Sequence, residues 1–357
     1  MPGAFYGRPT PADYRQVTIS NGKQLTLTAV LMSVAAHFAW QVESTKTNSS
    51  LRGLCALPNR VLWASGSGGT LLRSLDGGRN WQRSTLDQDA AKLDFRDIEG
   101  FDAQHAIAMS SGPGALSNLY RTDDGGAHWT RVFANPDPEG FFDALKIWNS
   151  RQGVLVGDPV RGRIAIFLTA DGGRTWNAVA GPEVLPGEAL FAASGSSLAL
   201  ADQPGEAWIA TGGASAARVF HCVRNMSACT SSATPMRAGV SSAGIFSLAA
   251  CGTNSLIAVG GDYTKPQATD GTGAYSHDAG ATWTPVSGLS GYRSAVHFLN
   301  RKNCQQAIAT GTNGSDVTLD GGAHWERFSG ENFSVLAAVD NEFWAAGPQG
   351  RVARLTR

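Results

Sequence analysis

Apolar residues in this chain come in short runs separated by glycine-rich polar turns, as in Gly69-Thr-Leu-Leu-Arg73, Arg163-Ile-Ala-Ile-Phe-Leu168 and Ser334-Val-Leu-Ala-Ala338. Runs of this length bounded by turn residues read as β-strands. One run differs: residues 24–36 (QLTLTAVLMSVAA) follow Arg8, Arg15 and Lys23 and end in the small residues Val34 and Ala36. That is the layout of a secretory signal with cleavage after Ala36. It is too short for a permanent membrane span, which needs about 18–20 apolar residues. The expected organisation is a leader over 1–36 and a single domain over 37–357, periplasmic or secreted.

Self-similarity sharpens the strand reading, because one pattern, S/T-x-D-x-G-x-x-W, occurs five times. The copies are Ser74-Leu-Asp-Gly-Gly-Arg-Asn-Trp81, Thr122-Asp-Asp-Gly-Gly-Ala-His-Trp129, Thr169-Ala-Asp-Gly-Gly-Arg-Thr-Trp176, Ser276-His-Asp-Ala-Gly-Ala-Thr-Trp283 and Thr318-Leu-Asp-Gly-Gly-Ala-His-Trp325. It resembles the Asp-box, or BNR, repeat of sialidases, sortilin-type receptors and the photosystem II stability and assembly factors. Physically it describes a β-hairpin. The carboxylate accepts N–H groups of its own turn, glycine supplies positive φ, and tryptophan anchors the hairpin between sheets. Asp76, Asp124, Asp171, Asp278 and Asp320 are therefore expected to be turn staples rather than catalytic groups.

Spacing counts the sheets. Trp81 to Trp129 is 48 residues, Trp129 to Trp176 is 47, and Trp283 to Trp325 is 42. Trp176 to Trp283 is 107, two periods, so a sixth copy has decayed between them. Aligning that segment puts Cys222 at the Ser/Thr position and Cys229 at the Trp position, which predicts a Cys222–Cys229 disulfide across paired strands. The pairing of Cys55, Cys251 and Cys304 stays open, and an odd count leaves a free thiol or an intermolecular bond. Residues 334–338, 342–346 and 351–355 read as three strands without a fourth, while Ala39-Trp-Gln-Val-Glu43 resembles the strand after each repeat. The fold expected is an all-β, seven-bladed β-propeller whose last blade is closed by the N-terminal strand, removing an open sheet edge.

Composition adds a constraint on function. Lys+Arg 29 against Asp+Glu 29 gives zero net charge, which excludes a surface devoted to nucleic acid, yet the cations are 23 Arg and 6 Lys. Arginine chelates oxyanions in a planar fork. In a propeller the turns carrying the repeat lie on one face, so candidate function belongs to the other. Loops there carry Arg52, Asp94, Arg96, Phe142, Asp143, Lys146, Asp158, Arg161, Arg163, Glu188, Arg237, Asp262, Tyr263, Lys265, Tyr292, Arg293, Asn313, Asp316 and Arg351. Convergent polar groups at a cavity mouth suit a ligand site.

Segments such as Phe142-Asp-Ala-Leu-Lys-Ile-Trp148, Gly187-Glu-Ala-Leu-Phe-Ala-Ala193 and Gly291-Tyr-Arg-Ser-Ala-Val296 resemble exported bacterial BNR-repeat proteins of the photosystem II assembly factor-like group. The resemblance implies a non-catalytic propeller that binds a protein partner through an arginine-lined face, which Arg52, Arg96 and Arg293, each just before or within an inner strand, are placed to form here. The alternative is a glycoside hydrolase or polysaccharide lyase. It would draw acid, base or nucleophile from Asp143, Asp158, Glu188, Asp262, Tyr263 and Tyr292, because two carboxyls about 5–9 Å apart can cleave a glycosidic bond. Its ligand would be a polar or anionic glycan. No dinucleotide fingerprint or metal-ligand spacing occurs, so no cofactor and no metal is expected, and a monomer suffices.

Overall fold

A computed structural model describes residues 37–357; the leader read over 1–36 lies outside the described residues. The described chain forms seven four-stranded antiparallel sheets arranged as the blades of a β-propeller. The inner strands, in blade order, are Leu51–Leu57, Phe95–Gly100, Phe142–Ile147, Leu198–Leu200, Ala243–Cys251, Ala295–Phe298 and Val335–Val339. In six blades the chain runs outward in sequence order. In the seventh the outermost strand is Ala39–Ser44, which pairs antiparallel with Arg351–Thr356 from Ala39↔Thr356 to Ser44↔Arg351. Within the described residues, no helix is long and apolar enough to cross a membrane.

The core lies between blades, and the two-residue strand period explains how one strand serves two of them. Leu62 packs toward blade 7, against Val335 and Trp344, while its neighbour Trp63 packs toward blade 2, against Phe95 and Ile98. Strand Val61–Gly66 is therefore buried at every position and reads as a continuous apolar run. The repeat tryptophans sit in the same seams: Trp81 between blades 7 and 1, Trp176 between 2 and 3, Trp325 between 5 and 6. Cys222 pairs with Cys229 across adjacent strands and is disulfide-bonded to it, packing with Met226 in the seam between blades 3 and 4. A second disulfide, Cys251–Cys304, joins blade 5 to the loop after the inner strand of blade 6, and Cys55 is free.

Inner strands of blades 1, 2, 3 and 5 each carry a bulge near their start, at Leu51/Gly53, Phe95/Asp97, Phe142/Ala144 and Ile245/Ser247. A bulge re-aims the following side chain. Asp97 Oδ2 accepts the Leu145 N–H of blade 3 at 2.9 Å, and Ser247 Oγ accepts the Val296 N–H of blade 6 at 2.9 Å. These bonds tie neighbouring inner strands together around the channel. Gly53 is needed there because a Cβ would stand 2.2 Å from Ser65 Oγ and 2.9 Å from the Asp97 backbone.

Candidate functional site

The repeat aspartates are consumed by their own turns. Asp76 Oδ1 accepts the Asn80 N–H at 2.9 Å and the Ser74 hydroxyl at 2.9 Å, while Ser74 Oγ accepts the Gly78 N–H. Asp124, Asp171, Asp278 and Asp320 repeat this arrangement with His128, Thr175, Thr282 and His324. Hydrogen bonds to the charged form hold the carboxyls of Asp76, Asp124 and Asp278 down at about 2. In Asp171 the same kind of bond outweighs the opposing effect of burial, and its carboxyl also lies at about 2.

On the opposite face the rim residues separate into those that build the wall and those that face the opening. Arg293 and Asp316 form an ion pair with both side chains at 0% exposure, and Ser290 and Asn313 complete it, so neither side chain is presented at the opening. Glu188 is equally enclosed, paired to Arg218 and accepting the Thr211 hydroxyl. Phe142 is core, stacked on Phe133 at 5.9 Å. Asp262 caps its own turn through the Thr264 N–H and hydroxyl, which lower its carboxyl, and this removes it as an acid. Arg163 pairs with Glu183, Arg161 with Asp137, Arg237 with Asp270 and Arg351 with Glu331. Lys265 is exposed. In each buried case the enclosing partner lies on a strand elsewhere in the chain: Asp316 in Gly314–Thr318, Arg218 in Arg218–Val223 and Phe133 in Thr130–Ala134.

Lys146 requires a different correction. It lies three residues along its strand from Asp143, about 10 Å at the usual rise per residue, and therefore points into the far half of the channel. There it meets Glu99 at 2.6 Å and Asp97 at 3.4 Å.

Arg52, Asp94, Arg96, Asp143, Asp158, Tyr263 and Tyr292 remain at the upper mouth. Arg96 Nε donates to Asp94 at 2.8 Å, and its Nη1 reaches the Ala192 carbonyl at 3.3 Å. Arg52 donates no hydrogen bond to any described residue, and burial followed by the proximity of Arg96 lowers its pKa. Asp143, 1% exposed, is raised well above the usual carboxylate range by burial and then by neighbouring Asp158, with Arg96 opposing. Its Oδ2 is enclosed and has no hydrogen-bond partner among the described residues. Asp158 accepts the Leu190 N–H at 2.8 Å and is itself raised by burial.

Two aromatic residues beyond the candidate set complete this mouth. Phe191 and Phe246 stack at 3.9 Å, Tyr292 meets Phe246 edge-on at 4.9 Å, and Tyr263, 53% exposed, stands 6.1 Å from Phe246. Tyr292 is only 5% exposed and its hydroxyl pKa is raised by burial, so it supports the plate rather than acting as a nucleophile. The only sequence signal for the phenylalanines was their place in strand-entry segments. Below them, residues 191–196 bridge the channel: Ser194 Oγ donates to the Ser294 carbonyl at 2.8 Å, and Ser196 Oγ to Ser247 at 2.7 Å. Gly195 passes so near Asp97 that a Cβ would lie 2.0 Å from its carboxylate.

A seven-bladed β-propeller with an arginine- and aromatic-bearing upper mouth is the class this geometry defines. No protein-family model and no curated protein sequence matches the chain. Among solved structures, it is similar to YCF48 bound to a D1 peptide, with TM-score 0.64, 15% identity, and 89% of this chain and 97% of that one covered. YCF48 from Cyanidioschyzon merolae matches at TM-score 0.66 and 15% identity over 89% and 99%. Virginiamycin B lyase from Staphylococcus aureus matches at 0.62 and 12% over 90% and 99%. At these identities the shared property is the fold, common to a binding protein and a lyase.

Proposed function

We propose that this propeller binds an acidic segment of a partner protein at its upper mouth, in the manner of an assembly factor, without chemical turnover. The observation that carries the reading is the Arg52–Arg96 pair: two guanidiniums from adjacent blades, with Arg52 lowered by burial and then by Arg96, and making no hydrogen bond to a described residue although Asp94 attracts it. Like charges held together in a partly desolvated rim favour an anion between them. The neighbouring Phe191, Phe246 and Tyr263 supply the rigid aromatic area that peptide recognition uses. The solved YCF48 complex with a D1 peptide supports the reading by showing that such a propeller can hold a protein segment. Four of five cysteines lie in disulfides, which favours an oxidising, extracytoplasmic location.

One observation favours catalysis on glycans instead: Asp143 is raised beside Asp158, as a general acid would be. Against it, Asp143 Oδ2 is closed to solvent, so no glycosidic oxygen reaches it. The test is affinity capture with the chain spanning 37–357, followed by titration of captured acidic peptides. Arg52→Ala should weaken binding by at least about tenfold, the scale of one charge-assisted hydrogen bond. Sugar release from a glycan panel that disappears in Asp143→Asn would overturn the proposal.

A further inference from the structure

The channel beneath the 191–196 bridge opens into a cavity of about 300 Å³ on the face of the repeat turns, walled by the inner strands of all seven blades. Most of the wall is apolar, including Leu54, Leu198, Leu248, Val296 and Leu336. Set into it is a charged cluster on blades 2 and 3. Lys146 Nζ donates to Glu99 Oε1 at 2.6 Å and reaches both oxygens of Asp97 at 3.4 Å. Asp97 is saturated, since it also accepts the N–H groups of Leu145 and Ile98. Glu99 is not: its second oxygen has no partner among the described residues.

Two carboxylates against one ammonium leave this cluster one negative charge in excess. On blade 6, His297 donates from Nδ1 to the Phe298 carbonyl at 2.7 Å, which leaves Nε2 as an acceptor, and burial keeps the ring neutral by lowering its pKa. Arg301 at the lower rim is neutralised by Asp202 at 2.7 Å. Cys55 on blade 1 keeps its proton, its thiol pushed up to about 12 by burial. The cavity thus presents free acceptors, a surplus negative charge and apolar walls.

The geometry points to this cavity as a binding site for a small organic cation with an apolar body, its ammonium held by Glu99 and its hydrocarbon by the leucine and valine wall. A cavity of this volume suits a small molecule. The complementary charge is a monocation, because one added positive charge balances Asp97, Glu99 and Lys146. Without it Glu99 takes up a proton instead: burial raises its carboxyl to about 7, with Lys146 opposing and Asp97 adding to the rise. The groups facing Glu99 are Asp97, Lys146 and Cys55, with His297 and Arg301 across the cavity. Burial raises the Asp97 carboxyl as well, with Lys146 opposing, and lowers His297, so it is the Glu99→Gln variant that assigns the pH dependence to Glu99.

Calorimetric titration of the chain spanning 37–357 with hexylammonium, tetramethylammonium and hexanoate tests this. Hexylammonium should bind at millimolar concentration or below at pH 8, more tightly than tetramethylammonium, and hexanoate should not bind. Because Glu99 is largely protonated one unit below its pKa, affinity should fall about tenfold from pH 8 to pH 6. Glu99→Gln should lower affinity at pH 8 and abolish the pH dependence; Ala250→Leu, which fills the cavity without touching the charges, should weaken binding and preserve it. Arg52→Ala at the upper mouth should leave hexylammonium affinity unchanged. Preferential binding of hexanoate, no hexylammonium binding, or affinity unaltered by both Glu99→Gln and Ala250→Leu would overturn the assignment.

Discussion

Arg293 and Asp316 face each other at 2.6 Å with both side chains fully withdrawn from solvent. The pair joins the entry to blade 6 to the third strand of the same blade, and Ser290 and Asn313 satisfy its remaining donors. Removing one member leaves a buried charge uncompensated, so Arg293→Ala should cost about 3–5 kcal/mol. Urea denaturation measures this. A loss below about 1 kcal/mol, within the range of exposed pairs, would return Arg293 to the set of surface binding residues.

Acid stability should report the repeat turns. The carboxyls of Asp76, Asp124, Asp171 and Asp278 lie at about 2 in the folded protein, below the unfolded aspartate value of about 3.9. Depressed carboxyls contribute stability that is complete above the unfolded value and lost as pH falls through the folded one. Melting temperature should therefore depend little on these groups from pH 7 to 5 and drop between about pH 4 and 2. A variant with all four changed to asparagine should show a flatter acid limb; an unchanged limb would assign acid loss to other groups.

The two disulfides should differ in weight. Cys222–Cys229 spans 7 residues and Cys251–Cys304 spans 53. Loop-closure entropy assigns about 2 kcal/mol to the first and about 4 kcal/mol to the second. Thermal melts of the two Cys→Ser double variants compare them directly, and equal losses would show that chain entropy is not what separates them.

Deleting residues 37–45 removes the outermost strand of blade 7, together with Trp40, which donates to Ser315 of blade 6 at 3.0 Å and packs on Phe333. The ring then has an unpaired edge at Arg351–Thr356. Circular dichroism and tryptophan fluorescence should show one coincident transition shifted to lower urea. Two separated transitions would mean that the strand only decorates blade 7.

Much of this architecture could be read before any coordinates because its signals are local. The five repeat turns, the tryptophan period and the Cys222/Cys229 substitution each lie within a few residues, and hairpin chemistry depends on neighbours in sequence. The site was less legible. Arg293, Glu188 and Phe142 have the residue types and loop positions of ligand contacts, yet Asp316, Arg218 and Phe133 enclose them. Phe191, in a loop, and Phe246, on the inner strand of blade 5, come together from 55 residues apart, and nothing in either segment marks the other.

By itself, the sequence determined the strands, the number of blades and the structural duty of the repeat aspartates, since those follow from period and turn chemistry. Only the tertiary structure decided which charges are spent. It buried Arg293 against Asp316, left Arg52 without a hydrogen bond to any described residue, and turned Lys146 away from the upper mouth into a cavity with Glu99. The reason is physical: a charged side chain's role depends on its partner and its distance from water, and in a propeller both are set by neighbouring blades and loops far away in the chain.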